Sequence, residues 1–156
     1  MNTLTILLTT AILTHGTTLF LDYELPTNPK YSDAEVECLA KNVYFESRGE
    51  PLIGQLAVAY VTINRSEDDA YGDNLCDVVY DPKQFSWTIG KQDPITETNS
   101  WIQAVLVAEL ATADVLLDPT EGATMFHADT IQPYWADDFK QTVEISDHIF
   151  YKDKTL

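Results

Sequence analysis

The chain is 156 residues long, 45% hydrophobic and 11% aromatic, with 25 acidic against 9 basic side chains and a formal net charge of −16. That length suits a single domain burying roughly two-thirds of its unfolded surface around one sizeable core, and the apolar content excludes a disordered polymer. So few basic residues exclude phosphate-tracking nucleic-acid binding and charge-driven attraction to an anionic wall or membrane, so recognition of such a polymer has to rest on stacking and hydrogen bonds.

Met1 to Phe20 is apolar, but thinly so. Leu4, Ile6, Leu7, Leu8, Ala11, Ile12, Leu13, Leu19 and Phe20 resemble a signal-peptide core, yet no Lys or Arg precedes them and seven threonines interrupt the run. The run falls short of a spanning helix. Three readings stay open: an export signal, an uncleaved anchor, or a helix packed on the domain. Any membrane contact would run through residues 1–20. Leu25-Pro26 to Pro29-Lys30 reads as a linker, which divides a leading segment, 1–31, from a domain over 32–156.

Ser32 followed by Glu35 is a capping-box pattern, so a helix opens there. Val36, Leu39, Ala40 and Val43 recur at spacings that stack on one face, and Glu46, seven residues beyond Leu39, falls on that same face. Gly49 and Pro51 stop the helix just after it. A carboxylate therefore leaves the last turn where a core residue would sit, and burial without a full partner raises its pKa. A Glu protonated near neutral pH can donate a proton to a glycosidic oxygen. Pairing with Arg48, or capping of a neighbouring loop, is the structural alternative.

Pro51 to Arg65 reads as a second helix, apolar almost all round and so central, although Val58, Val61, Thr62 and Ile63 would equally suit a strand. Ser66 to Asp73 is an acidic loop whose spacing does not fit an EF-hand. Asn74 to Tyr80 is a short helix. Gln84-Phe85-Ser86-Trp87, between Pro82 and Gly90, combines rings with an amide and a hydroxyl. It suits either a sugar site, with Gln84 and Ser86 as polar contacts, or a loop pinned to the core by Phe85 and Trp87. Asn99 to Leu117 is a regular scaffold helix, capped by Asn99 and stopped at Asp118-Pro119. Ala123 to Ala128 reads as a strand bringing His127 to a rim. Gln141 to Ile145 and His148 to Tyr151 alternate around Ser146-Asp147 as a hairpin, with His148 at the surface.

Cys38 and Cys76 leave two states open: a disulfide if the chain is exported, or buried thiols in a reducing compartment. Two cysteines and three histidines with no HExxH or CxxC spacing point to no metal and no other cofactor.

The blocks Glu37-Cys38-Leu39-Ala40, Tyr44-Phe45-Glu46-Ser47-Arg48-Gly49-Glu50-Pro51, Gly54-Gln55 and Val58 to Arg65 resemble the signature of the SleB/CwlJ-type cell-wall hydrolases, the spore cortex-lytic family. The likeness continues through Cys76 to Val79, Gln84 to Trp87, Gly122-Ala123, Phe126 to Ala128, Pro133, Trp135-Ala136 and His148 to Tyr151. It runs from Asp33 to Lys152 in order. Ser47 departs from the usual Ala, though a Glu-Ser pair is similar to that of other lytic transglycosylases.

The resemblance implies a mainly helical α+β, lysozyme-like domain with a small β-hairpin near the C-terminus, acting on peptidoglycan glycan strands; a monomer without a cofactor is expected. It maps the catalytic glutamate onto Glu46, acting as general acid and base between N-acetylmuramic acid and N-acetylglucosamine. It implies export to the periplasm or wall, or phage-encoded release to the wall. Gln84, Ser86, His127, Tyr134 and Glu50 are the expected substrate contacts, with Glu46 as the floor of their groove and Phe85 and Trp135 packed behind. No second carboxylate is obviously placed at the partner distance that a hydrolase needs, Glu50 lying beyond the helix stop, and this favours the lytic transglycosylase route over muramidase hydrolysis. A wall peptidase using Cys38 and His127 is disfavoured, because Cys38 sits more than a turn into its helix between Glu35, Glu37 and Lys41. A non-catalytic wall-binding module would not require a buried carboxylate.

Overall fold

The structure is a computed structural model that describes residues 12–14, 17–19, 30–82 and 84–154. Near the N-terminus, strands β1 (Ile12–Thr14) and β2 (Thr17–Leu19) pair antiparallel, Ile12 opposite Leu19. A continuous helix is therefore not what this part of the leading segment forms. The readings of residues 1–20 as export signal or anchor otherwise lie outside the described residues, as does the linker up to Pro29. Among the described residues no helix is long and apolar enough to cross a membrane.

Helix α1 (Asp33–Ser47) begins as the capping pattern predicts: the Ser32 hydroxyl accepts from the Glu35 amide, and the Glu35 carboxylate accepts from the Ser32 amide at 2.9 Å. Two orphan donors of the first turn are thereby satisfied. Helix α2 (Leu52–Ser66) follows directly after Pro51. A short α3 (Leu75–Tyr80) is capped by Asn74, whose side chain accepts from the Asp77 amide. The fourth helix, α4, spans Thr98–Thr112. It starts one residue before the expected cap, with Asn99 inside its first turn, and ends short of Asp118-Pro119. The chain turns away at Asp114, which adopts a left-handed φ of 56° that a helix cannot continue through.

Helix α1 packs against α2, α3 and α4, burying Leu39, Val43, Tyr44, Ala59, Leu75, Ala104 and Ala108 in one cluster. Truncating Leu39, which is fully buried, would cost about 2–5 kcal/mol in lost transfer and cavity terms. The predicted hairpin is part of a three-stranded antiparallel sheet in the order β3–β5–β4, from β3 (Met125–Ala128), β4 (Lys140–Ile145) and β5 (His148–Lys152). Phe150 of the middle strand lies opposite Phe126 and Val143 and packs on Ala57 and Val61 of α2. The sheet thus covers the face of α2 that α1 and α4 leave open, which is why that helix is apolar almost all round.

Candidate active site

Glu46 leaves the last turn of α1 half-buried. Burial pushes its carboxyl up to about 6, against a smaller downward pull from the Arg65 guanidinium. No hydrogen bond and no ion pair within 4.0 Å reaches that carboxyl among the described residues. The pairing with Arg48 considered from the sequence does not form. Arg48 instead holds Glu97 at 2.9 Å and lies over the Tyr44 ring.

Arg65 comes from the last turn of α2 and is only 4% exposed. Its Nε donates to the Thr124 carbonyl at 2.6 Å, and one terminal nitrogen approaches the Met125 sulfur at 3.7 Å. The guanidinium carbon lies 5.4 Å from the Tyr71 ring centre and 5.1 Å from that of Phe85. Burial pushes its pKa down, while Tyr71, Glu46 and Asp81 push it back up. An arginine stays charged under such conditions.

The Gln84–Trp87 block is fixed from α1. Trp87 donates its indole N–H to the Asn42 side chain at 2.9 Å and stacks on Phe45 with ring centres 4.6 Å apart. Asn42 is fully buried and donates in turn to the Thr62 hydroxyl at 3.0 Å. Phe85 is buried with Cys38, Val78 and Val79. Both readings of the block therefore apply to different residues: the rings pin it, while Gln84 is half-buried and Ser86 exposed.

Two depressions open beside this cluster. One, of about 620 Å³, is lined by Tyr71, Asp73, Asp77, Tyr80 and Asp81 among others. The second, of about 430 Å³, lies among Tyr44, Phe45, Arg48, Trp87, Asp93 and Thr96. Neither is lined by Gln84, Ser86, His127 or Tyr134, so the groove expected between those four side chains is not what these depressions form.

The remaining expected contacts fall in several places. Gln84 donates its amide to the Asp81 carboxylate at 3.0 Å. His127 is buried rather than at a rim, because Tyr151 stacks on it and Trp135 meets its edge. Its Nδ1 lies 2.8 Å from the Ala128 carbonyl and its Nε2 2.9 Å from the Tyr151 hydroxyl, which leaves no ring nitrogen for a sugar. Tyr134, by contrast, is 94% exposed. Glu50 lies against Gly54, whose absent side chain leaves room for it, and accepts weakly from the Asp147 amide of the β4–β5 turn at 3.5 Å. His148, expected at the surface, is buried against Phe126 and Phe150. Cys38 is bonded to Cys76, which joins α1 to α3 and removes the thiolate that a peptidase would need. No cluster of side chains able to hold a metal occurs among the described residues.

The family model described as Cell Wall Hydrolase matches residues 49–151. This chain belongs to the cell wall hydrolase family. The spore cortex-lytic enzyme of Halalkalibacterium halodurans is 36% identical over 121 residues, covering 77% of this chain and 35% of that protein. That of Bacillus cereus is 34% identical over 123 residues, covering 78% and 46%. The chain thus spans less than half the length of these two relatives. In three dimensions it is similar to the catalytic domain of the Bacillus cereus SleB protein, with a TM-score of 0.65 and 32% identity over 81% of this chain and 95% of that one. The catalytic domain of the germination-specific lytic transglycosylase SleB from Bacillus anthracis gives a TM-score of 0.62 at 30% identity, covering 81% and 100%.

Reading the sequence missed Asn42 and Tyr71 and took Arg65 only as a helix-end charge. Asn42 carried a usable signal, being a lone amide inside an apolar helical run one turn before Glu46. Tyr71, in an acidic loop, carried none.

Proposed function

We propose that this domain cleaves the glycan strand of peptidoglycan between N-acetylmuramic acid and N-acetylglucosamine, as a lytic transglycosylase with Glu46 as acid and then base. The observation that carries this is the environment of Glu46. Burial pushes its carboxyl up to about 6 against the downward pull of Arg65, and no second carboxylate contributes to that shift. A protonated Glu46 gives its proton to the glycosidic oxygen as the bond to the muramic acid C1 breaks. The C6 hydroxyl of the same sugar then closes on C1, and Glu46 takes that hydroxyl proton, which returns the acid form. A retaining or inverting hydrolase would need a partner carboxylate working across the same bond. The names of the relatives, spore cortex-lytic enzyme and lytic transglycosylase, support the same substrate class.

Ser86 and Tyr134, both exposed, are the proposed sugar contacts, together with half-buried Gln84 two residues before Ser86 and half-buried Glu50 just beyond the end of α1. With a net charge of −16, binding there rests on short-range stacking and hydrogen bonds. The Cys38–Cys76 disulfide suits action outside a reducing compartment, at the wall. Mass spectrometry of fragments released from purified walls tests the chemistry: anhydromuramic ends are expected, and free reducing muramic ends would overturn the lyase route in favour of hydrolysis.

A further inference from the structure

The Asn42–Thr62 bond joins α1 and α2 one turn before Glu46 and Arg65, which brings a buried cation within electrostatic reach of a half-buried acid, an expensive arrangement unless the two serve each other. Arg65 is held on one side, by the Thr124 carbonyl and the Met125 sulfur, and sandwiched near Tyr71 and Phe85. Its remaining terminal nitrogen, Nη1, is buried with no hydrogen-bond partner among the described residues. An unmet charged donor of this kind costs several times more than an ordinary surface one. Three groups make themselves felt at Arg65: Tyr71 from the loop after α2 most strongly, then Glu46 from α1 and Asp81 at the end of α3. Of these, Glu46 is the group whose charge changes in the proposed reaction.

We propose that Arg65 is the positioning residue of this site, its Nη1 being the donor that the Glu46 carboxylate engages, directly or through one water, once its proton has left. The role follows from charge. When Glu46 is protonated the pair has no ion contact to make, and Nη1 waits. When Glu46 protonates the leaving oxygen, a half-buried carboxylate forms, and the fixed guanidinium stabilises it without reorganisation. The same contact holds the carboxylate in place to accept the C6 hydroxyl proton. Arg65, only 4% exposed, is assigned no contact with either sugar. The purpose assigned here rests on the proposed role of Glu46, whereas the contact itself does not.

The test separates the two. In the intact protein with ¹⁵N-labelled arginine, the Arg65 side-chain signals should move with a midpoint of about 6, following the Glu46 carboxyl, and Glu46→Gln should abolish that movement. Signals that stay flat from pH 5 to 7, or that titrate unchanged in Glu46→Gln, would overturn the contact. This arm needs no change at Arg65 and so survives any folding cost of replacing it. For function, Arg65→Met should raise the alkaline limb of the turnover profile by about one pH unit and lower kcat about tenfold with KM little changed, and Arg65→Lys should restore the limb. An unshifted limb in Arg65→Met would overturn the positioning role. Arg65 signals that follow Glu46, together with full wall-clearing by Glu46→Gln, would keep the contact while removing Glu46 from the chemistry.

Discussion

The Trp87 indole donates to the Asn42 side-chain oxygen at 2.9 Å, one helical turn before Glu46. This bond ties the loop carrying Gln84 and Ser86 to the helix carrying the acid, through a buried amide that also holds Thr62 of α2. Removing one partner leaves the others unmet. Asn42→Leu should therefore destabilise the domain by about 1–3 kcal/mol, read by urea titration. Trp87→Phe keeps the stack on Phe45 and loses only the bond, so it should cost about 1 kcal/mol. A Trp87→Phe variant as unstable as Asn42→Leu would mean that the ring, not the bond, holds the loop.

Glu46 links activity to stability with opposite signs. Its folded pKa of about 6 lies above the ordinary 4.5, so the native state binds more protons than the unfolded chain between those values. Stability from this group is full below 4.5 and falls as pH rises through 6, by roughly 2 kcal/mol at pH 7. Glu46→Gln should therefore be more stable than the native protein at pH 7, by up to that amount, and equal to it near pH 4. The same variant should lose turnover by roughly 10²-fold or more. Denaturant melts at both pH values, beside wall-clearing assays, check the pair. A variant that is folded, no more stable and still active would remove Glu46 from the mechanism.

Much of this was legible because local rules carry it. The capping box at Ser32 and Glu35, the helical spacing to Glu46 and the Gly49-Pro51 stop are written in consecutive residues. The α4 end was not, because Ala113 to Leu117 continues a good helical pattern and only the left-handed turn at Asp114 breaks it. His127 and His148 were misplaced for a different reason. Strand alternation tells which residues share a face, but not that Tyr151 and Trp135 would close over one histidine and Phe126 over the other. Arg65 reads as a helix-end cation in sequence. Only the return of the chain into β3, bringing the Thr124 carbonyl, makes it a buried cation within electrostatic reach of Glu46.

The disulfide closes a loop with a sequence separation of 38, for which chain entropy alone gives about 4 kcal/mol. Cys38 packs with Val78, Val79 and Phe85, so the bond anchors α3 beneath the Gln84–Trp87 block. Reductant should lower the melting temperature by roughly 10 °C or more. Cys38→Ser should melt at the reduced value and ignore reductant. Two titratable thiols in protein purified under oxidising conditions would rule the bond out.

Tyr134 offers the cleanest separation of binding from folding. At 94% exposure its ring supports nothing in the domain, so Tyr134→Ala should shift stability by no more than about 0.5 kcal/mol. A ring that stacks on a sugar face contributes to binding substrate and transition state alike, so its loss should raise KM for wall glycan several-fold with kcat little changed. His127→Gln is the counterpart. It cuts a buried ring bonded to Tyr151 and should act through stability, costing about 1–3 kcal/mol, with KM near normal in the folded fraction. Pull-down on purified peptidoglycan, beside thermal melts of both variants, reads the two effects separately. Unchanged wall binding by Tyr134→Ala would strike Tyr134 from the sugar contacts, and weakened binding by a fully stable His127→Gln would return His127 to them.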